Sequence, residues 1–85
     1  MEIKEIEAVI EGLLFAAGDA VPIEKICEAI IIDKKTAKLI LSTMIVNYQN
    51  SRRGIMLREI NGGYQLCTRP EHHEYIKRLF EPRQK

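Results

Sequence analysis

Apolar positions along the first third of the chain recur at three- and four-residue steps. Ile3, Ile6, Ile10, Leu13, Leu14 and Ala17 make one stripe of a four-turn amphipathic helix, which Gly18 stops with a left-handed cap. Ala20-Val21-Pro22 reads as a short extended piece, because a residue before proline is pushed out of the helical region. Pro22 opens a second helix with its stripe on Ile23, Ile26, Cys27 and Ile30. Asp33 is the expected N-cap of a third helix running from Lys34 to about Asn50. That helix faces the core with Ala37, Leu41, Met44 and Tyr48, flanked by Ile40 and Ile45.

Beyond residue 54 the period changes from helical to alternating. Ile55–Ile60 and Tyr64–Thr68 read as strands. With Asn61-Gly62 as a two-residue loop, Leu57 lies opposite Leu66, Ile55 opposite Thr68, and Glu59 opposite Tyr64. Moving the loop to Gly62-Gly63 would place Glu59 opposite Leu66 on the core face, and Asn-Gly is the stronger type I′ signal. Thr68-x-x-Glu71 has the form of a capping box for a last helix, with Tyr75, Ile76, Leu79 and Phe80 as its stripe. The order predicts a mainly α winged helix-turn-helix with a small β-hairpin as the wing and an additional C-terminal helix. The domain is expected to span residues 1–81, with residues 82–85 either the start of an interdomain linker or simply the end of the chain.

Charge sharpens this picture. The net +1 of the 85 residues conceals a polarised chain. Residues 1–33 hold two basic and eight acidic side chains, whereas residues 34–85 hold eleven basic and four acidic ones. Such asymmetry fits an anionic partner for the basic part or a complementary protein partner. Lys34, Lys35 and Lys38 open the third helix, and Arg52, Arg53, Arg58 and Arg69 follow; they form either a solvated surface or a phosphate-binding patch. Cations at a helix N-terminus oppose its dipole, so Asp33 or an anionic partner is expected to offset them.

Two outward faces bear on a protein partner. In the third helix, Leu39 and Val46 fall opposite the core stripe, where a DNA-reading helix places Arg, Asn or Gln. They are isolated exposed residues, a protein contact, or the less suited face of a base reader. In the first helix, Ala8, Gly12 and Phe15 form a second face, either covered by the other helices or used as a dimer interface. Gly12 costs about 1 kcal/mol against alanine mid-helix, so a packing reason is expected. Glu5, Glu7 and Glu11 read as a solvated face.

Other classes are excluded. No apolar run approaches the roughly 18–20 residues of a membrane span, and the N-terminus lacks a signal-peptide layout. Cys27 and Cys67 read as reduced thiols. His72 and His73 are adjacent rather than four residues apart, so no metal site is expected. No nucleophile-base arrangement, P-loop or dinucleotide motif is present, and no cofactor or enzymatic activity is expected.

Two segments carry a family resemblance. Glu7-Ala-Val-Ile-Glu-Gly-Leu-Leu-Phe-Ala-Ala-Gly18 with Val21-Pro22-Ile23, and Leu57 through Glu71 with Gly62-Gly63-Tyr64-x-Leu66-x-Thr68-Arg69-Pro70 at its centre, resemble the segregation and condensation protein B (ScpB) family. The resemblance runs from about Ile3 to Pro82 and matches the first of that family's two winged-helix domains. It implies a homodimerising, non-enzymatic scaffold that binds the kleisin subunit ScpA and through it SMC, in chromosome segregation and condensation. It also implies a cytoplasmic, nucleoid-associated location. The alternative is a DNA-binding winged-helix transcriptional regulator.

Overall fold

The computed structural model describes residues 1–82. Helix α1 (Ile3–Ala17) buries Ile6, Ile10 and Leu14 and ends where Gly18, at φ +77°, donates its N–H to the Leu14 carbonyl. Ile3 and Ala17, at the ends of the expected stripe, overhang the core and are exposed. Strand β1 (Val21–Pro22) leads into α2 (Ile23–Ile30), which buries Ile23, Ile26 and Ile30. Asp33 caps α3 (Lys34–Gln49), accepting from the Thr36 N–H at 2.9 Å and the Thr36 hydroxyl at 2.6 Å. These bonds hold the Asp33 carboxyl below the usual aspartate range. Helix α3 buries Ala37, Ile40, Leu41, Met44 and Tyr48.

Strands β2 (Ile55–Ile60) and β3 (Gly63–Thr68) pair in the expected register, Leu57 against Leu66 and Ile55 against Thr68. Asn61 at φ 49° and Gly62 at φ 80° both adopt the positive φ that a type I′ loop demands. The short β1 joins the other edge of β3, giving a three-stranded sheet in the order β1-β3-β2. Here Gly63 is favoured for a different reason: a Cβ would sit 3.1 Å from the Val21 carbonyl oxygen, and β1 would have to give by a few tenths of an ångström. Helix, short strand, helix, helix and hairpin wing make a winged helix-turn-helix, with one core shared by α1, α2, α3 and the sheet.

The turn between α2 and α3 is strained. Ile31 sits at φ 64°, ψ 58°, a left-handed conformation disfavoured for β-branched side chains, and it is 88% exposed. Left-handed backbone costs an L-residue about 1–2 kcal/mol, part of which glycine returns as unfolded-chain entropy. Ile31→Gly is therefore expected to stabilise the domain, raising its urea midpoint by the equivalent of about 0.5–1 kcal/mol.

The C-terminal helix departs from the expectation. The Thr68-Glu71 capping box does not form. Pro70–His72 make a 3-10 turn without a side-chain cap, and α4 begins at His73 and runs to Phe80. Proline at residue 70 has no N–H to extend the strand ladder and favours the first turn of a helix instead. Glu71 instead faces Arg69 at 3.8 Å. No residue of α4 is buried; Ile76 is half-buried and Tyr75, Leu79 and Phe80 are open to solvent. The chain measures 54 × 23 × 22 Å, with a radius of gyration of 14.9 Å, against about 12 Å for a compact domain of this length. The proposed linker at 82–85 lies, apart from Pro82, outside the described residues.

Candidate protein interface

The outer face of α1 is uncovered. Ala8, Gly12 and Phe15 are all exposed, Phe15 to 80%. The other helices of the domain do not pack here, and a Cβ on Gly12 would meet nothing within 4 Å. The packing reason expected for Gly12 is therefore absent inside the domain. On α3, Leu39 and Val46 are 65% and 50% exposed. They stand seven residues apart, on one strip of the helix. Of these five, Ala8 alone borders the ≈ 290 Å³ groove between α1 and the end of α3, among Glu11, Met44, Tyr48 and Arg53.

That groove contains a link between the helices which the sequence did not reveal. The Tyr48 hydroxyl donates to Glu11 Oε2, while Arg53 Nη1 lies 3.9 Å from the same oxygen. The Arg53 guanidinium also sits 6.0 Å from the Tyr48 ring centroid. Glu11 is thus part of a tertiary contact rather than a merely solvated acid. Burial, reinforced by the hydrogen bond to Glu11, pushes the Tyr48 hydroxyl up to about 12 from 10.0. A raised folded pKa contributes stability below the unfolded value that is lost as pH rises through the folded one. Unfolding free energy is expected to fall between about pH 10 and 12, with a shallower slope in Tyr48→Phe; denaturant titrations across that range measure it.

The basic residues do not converge. Lys34 Nζ lies 3.3 Å from Glu24 Oε2, and Arg53 is engaged by Glu11. Backbone hydrogen bonding first, then the bond from Lys34, holds the Glu24 carboxyl below its usual range. Arg69, 11% exposed, reaches under the end of α3. Its Nη2 donates to the carbonyls of Tyr48 (2.5 Å) and Ser51 (3.0 Å), and its Nε donates to that of Arg53 (2.5 Å). It closes the α3–β2 connection and is not available to a phosphate. Lys35, Lys38, Arg52 and Arg58 are exposed and form no ion pair among the described residues. Among the described residues no three His, Cys, Asp or Glu side chains gather as metal ligands, and no helix is long and apolar enough to cross a membrane.

The molecule is thus a winged-helix domain whose recognition helix and first helix present apolar side chains outward. Its wing motif serves the fold: Gly62 makes the turn, Gly63 admits β1, Tyr64 fills the core and Arg69 holds α3. The chain belongs to the ScpB family, whose signature, Segregation and condensation complex subunit ScpB, matches residues 8–85. It is 56% identical over 86 residues to Segregation and condensation protein B of Acetivibrio thermocellus, covering 100% of this chain and 43% of that protein. The chain therefore spans less than half the length of that relative. The crystal structure of a dimer of a ScpB N-terminal domain complexed with ScpA peptide superposes with a TM-score of 0.85 at 33% identity, covering 91% of this chain and 96% of that one. ScpB from Mycobacterium tuberculosis shares the fold at TM-score 0.89 and 20% identity, covering 100% of this chain and 56% of that one.

Proposed function

We propose that this chain is the homodimerising domain of a non-enzymatic scaffold subunit in a prokaryotic SMC condensin complex. It binds the kleisin ScpA, and through it SMC, in the cytoplasm at the nucleoid, and works in chromosome segregation and condensation. The observation that carries this reading is the uncovered α1 face with Phe15 at 80% exposure, in a chain whose relative of known structure is a dimer complexed with ScpA peptide. A large aromatic anchor beside small residues is the composition of an interface centre. Base readout is less well supported, since Leu39 and Val46 offer no hydrogen bonds to base edges and two of the candidate cations, Lys34 and Arg53, are already engaged by Glu24 and Glu11.

Phe15→Glu is expected to raise the dimer dissociation constant by roughly 30-fold or more, the effect of losing an interface hot spot. The variant should remain folded and unfold cooperatively, because Phe15 lies outside the core, with its melting temperature lowered only by the lost dimerisation. Unchanged self-association would remove Phe15 from the interface. A ScpA-derived peptide should bind the parent, whereas duplex DNA binding that falls steeply with salt and depends on Lys35, Lys38 and Arg58 would support the regulator instead.

A further inference from the structure

Helix α4 stands as an arm on its own domain, and the geometry points to an exchange in which it docks on α1 of a second copy. This inference rests on the dimer reading above and names the surfaces that would carry it. Tyr75, Leu79 and Phe80 are 67%, 76% and 78% exposed. At helical spacing they line one side of α4 together with the half-buried Ile76. A helix of this length is marginal alone, and with no buried residue α4 has only the half-buried Ile76, the Glu74–Arg78 pair at 3.2 Å and Arg78 over the Tyr75 ring to support it within its own domain. Its substantial contacts are with the 3-10 turn that precedes it, not with α1, α2, α3 or the sheet.

The α1 outer face is the complementary surface. It offers Phe15 as an apolar contact. The charges match as well. Helix α1 carries Glu5, Glu7 and Glu11 against Lys4, a net −2, and α4 carries Lys77 and Arg78 against Glu74, a net +1. Glu5 and Lys77 form no ion pair among the described residues, so each is free to pair across the contact. Two reciprocal arms make a closed isologous dimer. The large apolar side chains of both contacts alone would bury on the order of 1,000 Å², close to the roughly 1,200 Å² at which stable interfaces begin.

The test pairs a double substitution with a cross-link between copies. L79E/F80E is expected to raise the dimer dissociation constant at least 30-fold, with the domain still unfolding cooperatively at a melting temperature lowered only by the lost dimerisation. In a mixture of unlabelled Ala16→Cys chains and isotope-labelled Glu81→Cys chains, which keep both aromatic anchors and place the thiols at exposed neighbouring positions, a short bis-maleimide should join residue 16 of one copy to residue 81 of the other. Mass spectrometry of the joined peptides identifies the pair. A dimer insensitive to L79E/F80E and lacking that cross-link would overturn the exchange while leaving dimerisation intact. Loss of cooperative melting in L79E/F80E would also overturn it, placing α4 in its own core. A monomeric parent chain would overturn both readings.

Discussion

Arg69→Ala is expected to destabilise the domain by about 3 kcal/mol, because three charge-assisted hydrogen bonds vanish together; the Ser51 and Arg53 carbonyls lose the guanidinium as donor, while the Tyr48 carbonyl keeps the Ser51 N–H and hydroxyl. The guanidinium serves the Tyr48, Ser51 and Arg53 carbonyls at once. It therefore ties the end of α3 and its connection to β2 to the residue that follows β3. Arg69→Lys should recover little, since one ammonium cannot reproduce a planar fork aimed at three acceptors. Urea denaturation of the two variants measures both effects. A loss below about 0.5 kcal/mol, typical of a surface substitution, would show that Arg69 is not structural. DNA binding lost from Arg69→Ala would then need reading as a direct contact.

Leu41→Ala is expected to cost as much or more, about 3–4 kcal/mol by analogy with buried leucine truncations. Leu41 is fully buried at the centre of α3, where helix and sheet share their core. A domain of this length is worth roughly 4–13 kcal/mol in total, so this one change removes a large share. Leu39→Ala, two residues away and 65% exposed, should change stability by no more than about 0.5 kcal/mol. The contrast isolates burial from helix propensity, because both substitutions place alanine on the same helix. Equal losses would mean that Leu39 faces a core and not a partner.

The core and the topology could be read from the chain because periodicity encodes them directly. Alternation of three and four set the buried faces of α1, α2 and α3, and one carboxylate, Glu59, was enough to choose the hairpin register. The outward direction of Leu39 and Val46 followed from the same helical geometry, whereas periodicity put Phe15 on a second face of α1 without telling whether another helix covers it. What could not be read depends on contacts between distant residues. Tyr48 and Glu11 are 37 positions apart, and no local pattern announces their bond. Arg69 looked like one more basic residue until the fold placed it beneath α3, although its place in the Thr-Arg-Pro run after the strand was a usable signal. The capping box failed because proline at residue 70 imposes its own turn, and a stripe on α4 could not tell whether its cover lies within the domain.

The central claim is that the domain's uncovered apolar surfaces are closed by a second copy. Sedimentation equilibrium of the chain at tens of micromolar tests this most directly. The expected result is a species of twice the 9.8 kDa chain mass that shifts toward monomer in Phe15→Glu while the domain still unfolds cooperatively. A single 9.8 kDa species at every concentration would contradict it.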